Sequence, residues 1–200
     1  MRKPHALKPG SHVRIVSPAS SLTPAKVAAG ALLLESQGYR VTHGEHVFAQ
    51  ESYLAGTDAQ RANDLMSAFQ DPEVDAVICS RGGYGCARLF PYLDLDAMAA
   101  SRKFFAGFSD VTTLHLALNR RGLVTFHTPM MITLSVSRQG WVMESFLRTL
   151  RGDTTIPEDA IRGECINPGI ADGVVTGGCL CLLTDSIRTP DSLDCEGKLV

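Results

Sequence analysis

Between His12 and Met131 the sequence alternates short, apolar, β-branched runs with segments of helical periodicity. That alternation constrains the fold more than any other property of the chain. A strand that is apolar along most of its length has both faces covered, which is the condition of a parallel sheet between helices; a sheet with one wet face alternates apolar and polar residues instead. The expected strands are HVRIVSPAS from His12, RVTHGEHVF from Arg40, VDAVIC from Val74 to Cys79, KFFAGFSD from Lys103 and LVTFHTPMM from Leu123. Between the first two, Thr23 reads as an N-cap, Pro24 as the first helical residue and Gly38 as the stop. A second helix starts at Thr57 or Asp58, carries Leu65, Met66 and Phe69 on one face and ends before Pro72. A third follows KFFAGFSD and ends at Gly122.

Strands and helices in this order predict an α/β fold: an N-terminal layered domain with a mainly parallel sheet, Rossmann- or flavodoxin-like. The expected boundaries are residues 1–152 for this domain and 153–172 for a linker rich in Gly, Pro and acidic residues. Residues 173–200 are expected to start an incomplete C-terminal domain, and the sequence stops within what reads as a strand.

Charge and composition narrow the function. A formal net charge of -2 with no Lys/Arg-rich block offers no footprint for nucleic acid or an anionic membrane surface, so a small substrate is expected. The N-terminus lacks the apolar region of a signal peptide, and no stretch approaches about 20 apolar residues; the expectation is a cytoplasmic protein. Six cysteines occur without CxxC or HxxxH spacing, which predicts reduced, buried thiols and no metal site.

In open parallel sheets ligands bind outside the carboxyl ends of the strands. Three loops fall at that edge: SPAS, SRGGYG and GFSD. Ser109, on a tight turn between strand and helix, would expose its hydroxyl beside the free N–H groups of a helix N-terminus. Attack by Ser109 would form an oxyanion that the Asp110 N–H and a donor from the Gly82-Gly83 loop could bind. The competing reading is that Ser109 or Asp110 caps the helix. GFSD lacks the second glycine of GxSxG, since Val111 stands there. A GxGxxG fingerprint begun at Gly83 meets Arg88 at its third position, which argues against a dinucleotide. A general base is harder to find. His115 lies about 9 Å along the helix from Ser109 and on another face. His127 ends a neighbouring strand at the same edge, while His5, His12, His43 and His46 have no evident route to the serine.

The combination of SRGGYG, AGFSDVTTLHLAL, FHTPM, GVVTGGCLCLL and RTPDSLDCEGKLV resembles the LD-carboxypeptidase family of serine peptidases, which also includes microcin C immunity peptidases. The resemblance runs from RIVSPAS to Val200. It implies that Ser109 is the nucleophile, that the Asp110 and Gly83 N–H groups form the oxyanion hole, and that Gly82, Tyr84 and Gly85 shape the substrate pocket. Carboxypeptidases of the family remove the terminal D-alanine from murein tetrapeptides during cytoplasmic cell-wall recycling; no cofactor is implied, and members commonly form homodimers. The family's catalytic Glu and His lie in its C-terminal domain and have no counterpart in these 200 residues, so the chain looks truncated and is expected to be nearly inactive alone. Cys179 stands where asparagine is usual after Gly-Gly, and IRTPDS replaces a Gly-Thr-Pro-Tyr pattern. The alternatives are an immunity peptidase acting on microcin-like aminoacyl nucleotides and a peptide-binding remnant without a triad.

Overall fold

A computed structural model describes residues 1–136 and 140–200. Five parallel strands form one sheet: β1 (His12–Val16), β2 (Arg40–His43), β3 (Ala76–Cys79), β4 (Phe104–Gly107) and β5 (Phe126–His127), in the order β2-β1-β3-β4-β5. This is the flavodoxin-like order, whose direction reverses between β1 and β3. The register pairs Val13 with Val41 on one side and Ala76 on the other, then Ala76 with Phe104 and Ala106 with Phe126.

Two hydrophobic cores occupy the two faces, and successive strand residues divide between them as the two-residue period of a strand requires. Val16, Val77, Cys79 and Phe105 point into one, against Leu65 and Phe69 of α2 (Asp58–Gln70), Met98 of α3 (Leu95–Ala100) and Leu114 of α4 (Thr112–Arg120). Val13, Ile15, Ala76, Ile78, Phe104 and Ala106 point into the other. There they meet Val27 and Leu34 of α1 (Pro24–Ser36), Met131 of α5 (Met131–Leu134), and Phe146 and Leu150 of α6 (Gly140–Leu150). The expected helix signals hold where they are strongest. Pro24 opens α1 behind Thr23, Gly38 follows it at φ 85°, and Thr57 forms a capping box with Gln60 at the start of α2.

The strands are shorter than the apolar runs. The second ends at His43 because the chain folds against Asp64, whose carboxylate accepts the His46 N–H at 2.8 Å and contacts His46 Nδ1 at 2.9 Å. A Cβ on Gly44 would lie 2.4 Å from Asp64 Oδ2. Val74 and Asp75 precede β3, and the Asp75 carboxylate accepts the His12 N–H at 2.8 Å. The run from Leu123 contributes only Phe126 and His127; Pro129 has no N–H to continue the ladder, and the following residues enter α5.

Residues 153–172 contain no helix or strand. Beyond them β6 (Val174–Val175) pairs in parallel with β7 (Lys198–Leu199), and α7 (Leu180–Asp185) lies between, with no buried residue. The expectation of buried thiols holds only for Cys79 and Cys86. Cys165, Cys181 and Cys195 are exposed and Cys179 is half-buried, because the last four fall in or beyond the segment that leaves the layered core.

Candidate active site

The carboxyl ends of β1, β3 and β4 bring the SPAS, SRGGYG and GFSD loops together. Ser109 follows β4 after one residue and opens a 3-10 turn, Ser109–Val111, that runs directly into α4. Its φ of 62° is left-handed, a conformation that a residue with a Cβ adopts only under constraint. The constraint is local crowding. Gly107 can hold no side chain, since a Cβ there would lie 2.9 Å from Val111 Cγ1, so the strand turns into the helix within two residues.

The glycine loop packs on this turn through its backbone. A Cβ on Gly82 would lie 2.9 Å from Ser109 Cβ, 3.1 Å from Ser109 Oγ and 3.2 Å from the Asp110 nitrogen. Gly83, at φ 121°, has a would-be Cβ 2.1 Å from Ser20 Oγ, and the Ser20 N–H donates to the Gly82 carbonyl at 3.3 Å. Two of the glycines are thus required by close approach. Among the described residues neither the Asp110 nor the Gly83 N–H has a backbone acceptor. Donors without partners beside a serine at a helix N-terminus form an anion-attracting corner.

Neither Ser109 nor Asp110 serves as a side-chain cap for its own helix. The buried Asp110 carboxylate instead accepts the Cys86 N–H at 2.8 Å, which ties the far end of the glycine loop to the serine turn. Burial, reinforced by the Asp110 charge, pushes both the Cys79 and Cys86 thiols well up from their ordinary range, so neither is a nucleophile. Tyr84 is exposed and packs against Tyr53, ring centroids 6.3 Å apart. Gly85, at φ 127°, presents its carbonyl to Arg61 at 3.1 Å. Of the site residues read from the sequence, Gly82 and Asp110 sit against Ser109, Gly83 packs on Ser20, and Tyr84 and Gly85 continue the same loop.

Arg61 escaped the sequence reading. It is fully buried, and its guanidinium donates to the carbonyls of Gly56, Pro18 and Gly85 and pairs with Asp58. It therefore joins the loop after β1 to the loop after β3. The available signal was its spacing: Arg61, Leu65, Ala68 and Phe69 share one face of α2, and a charge on an apolar face asks for buried partners. Ser20 and Thr112 also border the site. Thr112 Oγ1 accepts the Cys179 N–H at 3.1 Å, laying the Gly177–Cys179 segment on the first turn of α4.

No histidine or glutamate among the described residues hydrogen-bonds Ser109. His115 is buried, its Nε2–H donates to the Gly107 carbonyl at 2.9 Å, and burial lowers its pKa to about 4. His127 stacks on Phe108 at 5.9 Å, and burial lowers its pKa too. A groove of about 820 Å³ runs beside β5, lined among others by His115, His127, Trp141 and Gly178.

Fold and site together define a doubly wound α/β protein with an elbow-type serine turn at the carboxyl edge of its sheet. The chain belongs to the LD-carboxypeptidase family: the model of the LD-carboxypeptidase N-terminal domain matches residues 13–128. A protein of Bacillus subtilis, named a probable murein peptide carboxypeptidase, is 38% identical over 202 residues, covering 99% of this chain and 63% of its own length. The murein tetrapeptide carboxypeptidase of Pseudomonas aeruginosa is 42% identical over 126 residues, covering 62% of this chain and 41% of its own. Among solved structures, an MccF-like protein from Bacillus anthracis superposes with a TM-score of 0.87 at 26% identity, covering 99% of this chain and 68% of that one. The chain spans 62–64% of the length of the curated relatives it matches most fully. Among the described residues no helix is long and apolar enough to cross a membrane.

Proposed function

We propose that this chain is the nucleophile-bearing part of a serine-type LD-carboxypeptidase that removes the terminal D-alanine from murein tetrapeptides in the cytoplasm. The observation that carries the reading is Ser109 itself: a left-handed serine between a strand and a helix, with the Gly82 backbone packed on it and unpartnered N–H groups beside it. In the reaction Ser109 Oγ attacks the carbonyl of the scissile bond. The Asp110 and Gly83 N–H groups hold the oxyanion, and D-alanine leaves as the amine carrying the proton taken from Ser109. Water then hydrolyses the Ser109 ester to release the shortened peptide and restore the hydroxyl. Gly82, Tyr84 and Gly85 border the peptide, and no cofactor takes part.

The hydroxyl needs a base, and His115 is committed to the Gly107 carbonyl. In this reading the proton acceptor comes from outside the described residues, on a C-terminal domain that residues 173–200 begin. By the same reading the 200 residues alone turn over very slowly.

The test is release of D-alanine from a murein tetrapeptide by the whole native protein, followed with a D-amino-acid oxidase. Ser109→Ala is expected to lower the rate by about a thousandfold or more. An undiminished rate in that variant would remove Ser109 from the chemistry. Preferential cleavage of an aminoacyl-nucleotide analogue would assign the immunity-peptidase activity instead.

A further inference from the structure

Two cysteines outside the site stand in sulfur contact. Cys179 precedes α7 in an extended conformation, φ -69° and ψ 119°, and Cys181 lies in the first turn of that helix, so the chain folds back between them. Their sulfurs are 3.2 Å apart. Cys181 is exposed, Cys179 is half-buried, and the intervening Leu180 is 74% exposed. Within these 200 residues the pair is open to solvent, unlike the enclosed Cys79 and Cys86.

We propose that Cys179 and Cys181 are a reversible modification site, at which a low-molecular-weight disulfide oxidises the two thiols to an intrachain bridge. The sulfurs need approach by only about 1 Å to reach bonding distance. Either sulfur can donate in the contact between them, so whichever thiol ionises first has its thiolate held by the S–H of the other. Where Cys179 ionises first, it attacks one sulfur of the small disulfide, whose S–S bond breaks and releases one thiolate. Cys181 then gives its proton to solvent and attacks Cys179 Sγ, breaking the mixed disulfide and releasing the second thiolate. Two protein thiols are oxidised and one small disulfide is reduced to two thiols. An exposed bridge across so short a loop is of the labile, easily reduced kind.

The site also touches the first turn of α4. The Cys179 N–H is anchored on Thr112 Oγ1, and a Cβ on Gly178 would lie 2.4 Å from Thr112 Cγ2. Bridge closure therefore acts on a fixed point near Ser109, although the sulfur chemistry does not depend on the peptidase reading.

The test uses oxidised glutathione on the reduced protein carrying Cys165→Ser, because Cys165 shares the tryptic peptide 163–188 with the pair. After blocking with iodoacetamide, mass spectrometry should find that peptide lighter by two hydrogens and free of alkyl groups, a state reversed by dithiothreitol. Adding Cys181→Ser should leave glutathione trapped on Cys179. Alkylation of both cysteines after oxidant treatment, stable glutathione on each, or no adduct on Cys179 in the second variant would overturn the proposal.

Discussion

Arg61→Met removes the guanidinium that joins the loops after β1 and β3 while keeping most of the side chain's volume. Arg61 is 1% exposed and supplies donors to the carbonyls of Gly56, Pro18 and Gly85. The Gly56 and Pro18 carbonyls lose their donor at about 1–3 kcal/mol each, whereas Gly85 keeps the Arg88 N–H at 3.2 Å; breaking a buried ion pair from one side costs about 3–5 kcal/mol. These terms overlap. Asp58 keeps Arg88 at 2.8 Å, and methionine restores apolar contacts, so the net loss should be about 3–4 kcal/mol. For a domain of this size that corresponds to a fall in Tm of roughly 10 °C, read by thermal unfolding in far-ultraviolet circular dichroism. Arg61→Lys should fall between the two, because one ammonium cannot serve three divergent carbonyls. A methionine variant within about 1 kcal/mol of the parent would mean that the carbonyls find other donors and that the loops are not held by this residue.

Two further outcomes follow from the same geometry. Burial depresses the His115 pKa from 6.5 to about 4, so on acidification the unfolded chain takes up a proton that the folded chain refuses. The contribution is whole above about pH 6.5 and is lost as the pH falls towards 4, amounting to about 3 kcal/mol. Urea midpoints measured between about pH 7.5 and 4.5 should fall less steeply in His115→Gln, whose amide can still donate to the Gly107 carbonyl; equal slopes would contradict the assignment. At Ser109, glycine relieves the left-handed strain that alanine keeps, so Ser109→Gly should unfold at higher urea than Ser109→Ala by about 1 kcal/mol. The reverse order would contradict the strained turn.

The parallel layered fold was legible because Ala76, Val77, Ile78 and Cys79, and Phe104, Phe105 and Ala106, are apolar without alternation, as strands covered on both faces must be. Strand ends were less legible. They depend on partners distant in sequence, such as Asp64 receiving the chain after His43, and local propensity holds no record of them. The short 3-10 segment Cys86–Tyr92 and α3 went unread for a related reason: too few turns to establish a period, with Pro91 inside the first. Within the site, Ser109 and the glycines were legible as loop chemistry, but the left-handed Ser109 was not, since its φ is imposed by Gly107, Val111 and the Gly82 backbone. Asp110 was read as a possible cap from its position; the acceptor role it takes toward Cys86 belongs to the tertiary fold.

The strand order carries a consequence for how the site is assembled during folding. β1 lies between β2 and β3, and β3 separates it from β4, so the three loops meet only after Val13 has found Ala76 and Ala76 has found Phe104. Such non-local pairings must bear loop-closure entropy before they are rewarded, and they form slowly compared with helices. Ser109 can be forced left-handed only by neighbours that arrive through those pairings. In the nascent chain the serine is therefore an ordinary, unstrained residue, and its reactive posture is a property of the completed sheet.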